Sequence, residues 1–273
     1  MKLLARGRVL EREVAVMGIV NVTPDSFFAG SRASKVDEAI DRALKMYAAG
    51  ADIVDIGGES SRPGADPVPV EEEIARVVPV IVELKRKEPE LFISVDTYHV
   101  ETAEASLEAG ADIINDITGL RDNRMLELAS QYGSAVVIMH MKGSPKTMQD
   151  SPYYENVVDE VNSFLLDRVR TAIGKGLDPL SIVLDPGIGF GKRFEDNIEL
   201  LKSVDIFKAS GFPVLIGHSR KSFIGKILDL PPEGRLEGTL AVTAFCYLKG
   251  VDILRVHDVE ENVRLLKTLK WLK

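Results

Sequence analysis

Cysteine is nearly absent from this 273-residue chain, and so is tryptophan: Cys246 and Trp271 are the sole examples. A lone cysteine can close no internal disulfide and build no cysteine cluster for zinc. With Ala244, Phe245, Tyr247 and Leu248 around it, Cys246 reads as a buried, inert thiol. Long apolar runs are missing too. No uncharged stretch of about 18 apolar residues occurs, which excludes a membrane-spanning helix. The first ten residues carry Lys2, Arg6 and Arg8 without a long apolar core, so no secretory signal is expected and the cytoplasm is the expected compartment. Positive charge is in deficit, with a formal net charge of -8. That balance argues against nucleic acid or an anionic membrane as partner, while leaving room for a local cationic pocket. There is no linker rich in Ser, Pro or Gly and no low-complexity tract, so residues 1–273 are expected to form one domain.

What the chain does have is short apolar runs at regular intervals. They lie at residues 14–20, 52–56, 92–95, 113–115, 135–139, 182–184, 214–216 and 253–256. Each is apolar nearly throughout, the pattern of parallel strands covered on both faces. Segments of helical periodicity fill the intervals, at 35–49, 71–86, 99–109, 123–132, 154–175, 196–209, 238–249 and 259–271. Three echoes mark the repeat: Gly50-Ala-Asp-Ile-Val-Asp, Gly110-Ala-Asp-Ile-Ile-Asn and Gly250-Val-Asp-Ile-Leu-Arg. Each reads as a glycine closing a helix, a short turn, then a strand. Eight alternations predict an α/β fold, a (β/α)8 TIM barrel of eight parallel strands surrounded by helices. A doubly wound open sheet is the structural alternative.

Barrel active sites lie at the C-terminal ends of the strands. Here all eight ends are polar: Asn21, the run Gly57 to Gly64, Asp96, Asn115-Asp116, His140, Asp185, Gly217 to Lys221, and Arg255 to Asp258. Asp96, Asn115 and Asp185 would converge from three strands, and carboxylates with an amide suit a heterocycle rich in N–H donors. Lys221 would add a donor and a positive charge. Asn21, Arg62, Arg255 and His257 form a second set, suited to phosphate oxygens. Asn21 could also help hold a hydrated Mg²⁺ whose other ligands are phosphates. Together the two sets point to a heterocyclic alkyl diphosphate.

Other signals are weaker. The stretch from Gly187 to Lys192 fits neither a dinucleotide fingerprint nor a P-loop, and reads as a flexible loop letting Phe190 and Lys192 reach the pocket. His99 falls inside a predicted helix, and His140 and His218 read as pocket walls. A tight metal site is not expected, since Asn21-Val-Thr stands where barrel metallohydrolases carry a His-x-His pair. Met139 and Met141 read as core filler, and Glu71-Glu72-Glu73 as a favourable helix start.

Taken in order, Asn21-Val-Thr-Pro-Asp-Ser-Phe, Gly57-Gly-Glu-Ser-Ser-Arg-Pro-Gly-Ala, Val95-Asp-Thr, Asn115-Asp116, Asp185-Pro-Gly-Ile-Gly-Phe-Gly-Lys, Ser219-Arg-Lys-Ser-Phe and Arg255-Val-His-Asp resemble the dihydropteroate synthase family over essentially the whole chain. The resemblance implies an eight-stranded barrel. It implies condensation of 6-hydroxymethyl-7,8-dihydropterin diphosphate with 4-aminobenzoate, giving dihydropteroate and diphosphate in folate synthesis. By this likeness Asp96, Asn115, Asp185 and Lys221 hold the pterin, and Asp96, Asp185 and Lys221 supply the catalytic electrostatics. Asn21, Arg62, Arg255 and His257 hold the diphosphate, with Mg²⁺ near Asn21. Ser61, Arg62, Pro63, Phe190, Ser219 and Lys221 border the aminobenzoate, and Phe28 closes over it. The likeness also implies a homodimer and a sulfonamide target.

Two departures from the family pattern stand out: Ser61 where threonine is common, and Phe28-Ala-Gly-Ser in place of Ser-Asp-Gly-Gly. Two rival readings have distinct signatures. A methyltetrahydrofolate-dependent methyltransferase would have no use for the phosphate set, and a non-catalytic pterin carrier would not need both sets. The first two loops are long and glycine-containing, and are expected to fold over the diphosphate and so order the binding of the two substrates.

Overall fold

The computed structural model describes residues 1–23, 32–60, 66–144, 146–148 and 150–272, with the side chains of residues 32–34 left aside. The chain opens with an antiparallel hairpin, β1 (Lys2–Ala5) and β2 (Arg8–Glu11). Arg6 and Gly7 both take positive φ, 51° and 75°, as a two-residue turn between twisted strands requires. Eight further strands follow: β3 (Ala15–Asn21), β4 (Ile53–Gly57), β5 (Phe92–Asp96), β6 (Ile113–Asp116), β7 (Ala135–Met139), β8 (Ile182–Asp185), β9 (Leu215–Ile216) and β10 (Ile253–Val256).

All pairings among these eight are parallel, in the order β8-β7-β6-β5-β4-β3-β10-β9. Spatial neighbours are chain neighbours throughout, with no reversal of order, so the sheet is not doubly wound. The remaining gap, between β8 and β9, is closed by one bridge at Leu184 and Val214, where Leu184 N donates to Pro213 O at 2.8 Å. The expected (β/α)8 barrel is therefore the observed one. β9 is short because Pro213 has no N–H and the Val214 N–H is turned to the Asp252 side chain at 2.7 Å.

Strand starts and ends match the apolar runs to within a residue or two. The polar tips Asn21, Asp96, Asn115, Asp116 and Asp185 close their strands rather than standing in loops. Among the helices, the run expected at 196–209 is two elements, Phe194–Lys202 and Val204–Lys208. A short helix, Ser222–Leu228, was not foreseen. His99 is not within a helix but caps Val100–Glu108, and its Nδ1 lies 2.8 Å from Glu73 Oε2. Glu73 is accordingly more than a helix-start charge: it is buried and also accepts from Thr102 Oγ1 at 2.7 Å.

Two apolar layers follow from the period of two along each strand. Residues such as Val16, Val54, Ile93, Ile114 and Val136 face outward and pack on the helices. Met17, Ile53, Phe92, Ile113, Val137, Val183 and Ile253 face inward, and the hairpin adds Leu3, Ala5 and Leu10 to the same cluster. The hairpin thus plugs the N-terminal end of the barrel and leaves the C-terminal end as the open mouth. Cys246 is fully buried and burial pushes its thiol up to about 12, which makes it inert.

Candidate active site at the barrel mouth

The inward face that is apolar at the bottom becomes polar one or two steps up. Along β4 it reads Ile53, Asp55, Gly57; along β5, Phe92, Ser94, Asp96; along β10, Ile253, Arg255. Register then levels the tips. Asn21 pairs with Gly57, Gly57 with Asp96, and Asp96 with Asn115, so four adjacent strands present their last inward positions at one height. Gly57 is small where side chains crowd: a Cβ there would stand 3.5 Å from Asp96 Cβ and 3.6 Å from Asn21 Oδ1.

Arg255 joins the two residue sets foreseen from the sequence. Its Nε donates to Asp55 Oδ2 and its guanidinium Nη2 to Asp96 Oδ2, each at 2.6 Å. Asn115 Nδ2 donates to the same Asp55 oxygen at 3.0 Å. Asp55 is fully buried, and its other oxygen, Oδ1, has no hydrogen-bond partner among the described residues. Sequence reasoning missed Asp55 by treating 52–56 as an apolar run. A charged residue two positions before a strand tip lies on the tip's own face, and that period was the available signal.

The electrostatics follow from burial. Desolvation pushes the Asp96 carboxyl up to about 7, against the pull of Arg255 and with the push of Asp55. Burial also raises Asp185, opposed by Lys221, the Gly187 N–H and Arg255. Burial opposes the charge on Arg255, but Asp55 and Asp96 outweigh it and hold the guanidinium protonated. Lys221 is pushed down to about 8 by burial, with Asp185 opposing.

Around the other half of the mouth, the loop from residue 186 to 192 is pinned rather than flexible. Gly187, Gly189 and Gly191 all have positive φ, and a Cβ on Gly187 or Gly191 would lie 2.0 Å from His140 O or 2.3 Å from Lys142 O. The glycines therefore serve close backbone approach. Tyr154 donates to Gly191 O at 2.7 Å, Gly189 N to Asn197 Oδ1 at 2.6 Å, and Lys221 Nζ to Ile188 O. The Lys221 ammonium also sits 4.4 Å from the Phe190 ring centroid. Phe190 packs with Ile117, Met139, Met141 and Met148 in an apolar cluster at the mouth, so the two methionines fill space there as expected.

The loop after β9 is set by Arg220, whose φ is 57° and whose side chain grips Asp258 at 2.6 and 2.9 Å. That turn brings Ser219 Oγ to 3.0 Å from His257 Nδ1. His218 is not a pocket wall: it is fully buried, held down to about 4 by burial, and bonded through Nε2 to Thr243 Oγ1 at 2.8 Å. His140 is also buried, and its ring faces Lys192 at 3.0 Å. Asn21, Asp96, Asn115, Asp185, Phe190, Ser219, Lys221, Arg255 and His257 thus share one mouth. Phe28, Ser61, Arg62 and Pro63 lie outside the described residues.

A profile of pterin binding enzymes matches residues 17–257 of this chain. The dihydropteroate synthase of Escherichia coli K12 is 43% identical over 271 residues, 99% of this chain and 96% of that protein. The chain belongs to the dihydropteroate synthase family. It is accordingly a transferase with the fold of that family. The solved dihydropteroate synthase of Yersinia pestis, in complex with a sulfonamide drug, superposes with a TM-score of 0.93 at 40% identity, covering 100% of this chain and 99% of that one. The Thermus thermophilus synthase in complex with 4-aminobenzoate gives 0.89 at 42% identity, with both chains fully covered.

Proposed function

We propose that this mouth binds 6-hydroxymethyl-7,8-dihydropterin diphosphate and transfers its pterinylmethyl group to 4-aminobenzoate, releasing diphosphate. The observation that carries the reading is the single level of Asn21, Asp96 and Asn115 across the run of strands β3 to β6, with Arg255 bonded to Asp96 and, with Asn115, to Asp55. Asp96, Asn115 and Asp185 offer acceptors and an amide to the pterin, and Lys221 a donor to its carbonyl side. Asn21, Arg62, Arg255 and His257 take the diphosphate. Ser61, Arg62, Pro63, Phe28, Phe190, Ser219 and Lys221 border the arylamine.

The chemistry asked of the protein is electrostatic. As the carbon–oxygen bond to diphosphate breaks, positive charge grows at the pterin methylene and spreads into the ring. Ionised Asp96 and Asp185 stabilise that charge through ring N–H groups, while Arg255 and His257 face the departing oxygens. The neutral arylamine then attacks and loses its proton to solvent. No group of three or more His, Cys, Asp or Glu among the described residues could hold a metal. The neutral oxygen of Asn21 still fits a hydrated Mg²⁺ held chiefly by phosphate oxygens, and that ion would supply charge to the leaving group.

We read residues 1–273 as one domain, working in the cytoplasm as a homodimer. Among the described residues, no helix is long and apolar enough to cross a membrane. The helix Leu236–Leu248 carries apolar residues outward as well as inward, leaving Leu248 67% exposed and Phe245 exposed as well, and Ile227, Leu228 and Leu230 ahead of it in the chain are exposed too. An outward apolar face of this kind suits a second copy of the chain. The deciding assay follows diphosphate release from the pterin diphosphate. Release that depends on 4-aminobenzoate and yields dihydropteroate supports the reading, and release that ignores the arylamine refutes it.

A further inference from the structure

Lys192 lies under the mouth with no part in the chemistry above. It is 3% exposed. Its Nζ has three acceptors: His140 Nδ1 at 3.0 Å, Phe190 O at 3.0 Å and His140 O at 3.2 Å. Three N–H groups meet three neutral acceptors, so the ammonium is fully bonded. Among the described residues, no carboxylate comes within 4.0 Å of it. His140 can accept there because its ring is neutral: burial, with Lys192 next, holds it down to about 2.

A buried ammonium held only by dipoles keeps a field that a contact ion pair would cancel. The His140 N–H donates to Asp185 O at 3.0 Å while the ammonium lies 3.2 Å from His140 O, so Lys192 stands beside the end of β8. The charges it acts on are Asp185 first, then Lys221 beyond β9, Asp196 on the helix Phe194–Lys202, and Lys142 after β7. Asp196 is already paired with Arg193 at 2.7 Å. Asp185 has no such contact pair among the described residues, and faces Lys221, Arg255 and Lys192 together with the Gly187 N–H, which donates to it at 2.7 Å.

We propose that Lys192 is a positioning residue of the pterin site: its dipole-held ammonium is a buried countercharge that keeps the Asp185 carboxylate ionised while the pterin ring covers it. The inference rests on the function proposed above. A pterin that seals Asp185 from water would otherwise favour the neutral acid, which accepts fewer N–H bonds. Burial pushes Lys192 itself down to about 7, with Asp185 opposing, so below neutrality its charge is present.

The test is calorimetric titration of the full-length enzyme with 6-hydroxymethylpterin across pH, using wild type, Lys192→Met, Lys192→Gln and Lys192→Arg. Affinity falls on the acid side as the pocket carboxylates are protonated. Asp96 contributes equally in all variants, since it faces Arg255 and Asp55 rather than Lys192. The expected result is a tenfold or greater loss below neutrality, where the wild-type ammonium is charged, in the Met and Gln variants, with the acid-side fall moved up by about one pH unit. The Arg variant, charged throughout, keeps the wild-type acid-side fall. Glutamine retains donors to the two carbonyls but no charge, so a wild-type profile in Lys192→Gln, or a lowered unfolding temperature with unchanged affinity, overturns the proposal. Failure of the wild type to bind the pterin would instead overturn the proposed function.

Discussion

The guanidinium of Arg255 stands 2.6 Å from Asp96 through Nη2 and 2.6 Å from Asp55 through Nε. One cation thereby ties a strand-tip carboxylate to a fully buried one below it. Breaking a buried pair by removing one partner typically costs about 3 kcal/mol. Asp55→Asn should therefore lower unfolding free energy by roughly that amount, as read by urea denaturation. It should also weaken pterin binding, because Arg255 loses the buried charge that aims it. Unchanged stability and affinity would remove Asp55 from the site's support.

Two glycine substitutions separate conformation from contact. Gly211 has φ 84° and nothing within 4 Å of an added Cβ. Gly211→Ala should therefore cost about 1 kcal/mol. Gly187 has φ 69° and its Cβ would fall 2.0 Å from His140 O. Gly187→Ala should cost more than about 2 kcal/mol and raise KM for the arylamine by displacing Phe190. Equal costs for the two, measured by denaturation, would show that the loop yields freely.

Lys221, pushed down to about 8 by burial, sets an alkaline limit. Pterin affinity should fall as pH rises through about 8, and Lys221→Arg should remove that fall. For stability the sign is the opposite. Between about 8 and the ordinary lysine range the native state binds fewer protons than the unfolded chain, so this group makes unfolding free energy rise with pH. Isothermal titration and denaturation over the same pH range check both signs.

How far the sequence foretold this arrangement depends on which physical signal each part leaves. Apolar runs bounded by glycine turns located eight strands, because burial on both faces leaves a continuous mark. Asp96, Asn115 and Asp185 were legible since each ends such a run. Asp55 was hidden inside one. The pinning of the loop around Gly189 was illegible, since glycine serves both slack and close contact, and only the carbonyls of His140 and Lys142 decide between them. The Lys2–Glu11 hairpin was short enough to escape notice despite its Arg6-Gly7 turn.

If the outward face of the helix Leu236–Leu248 joins two copies, Leu248→Glu should halve the particle mass in analytical ultracentrifugation while leaving the circular dichroism spectrum unchanged. A particle of one chain mass in the unmodified protein would rule out that use of the face.

The bridge between Leu184 and Val214 is a single stitch, where every other seam of the wall has at least two. Asp185 and Lys221 hang on opposite sides of that stitch. A molecule grasped by both would add a second thread, so the free protein should exchange its Leu184 amide hydrogen sooner than those of the neighbouring seams, and a bound pterin should slow it.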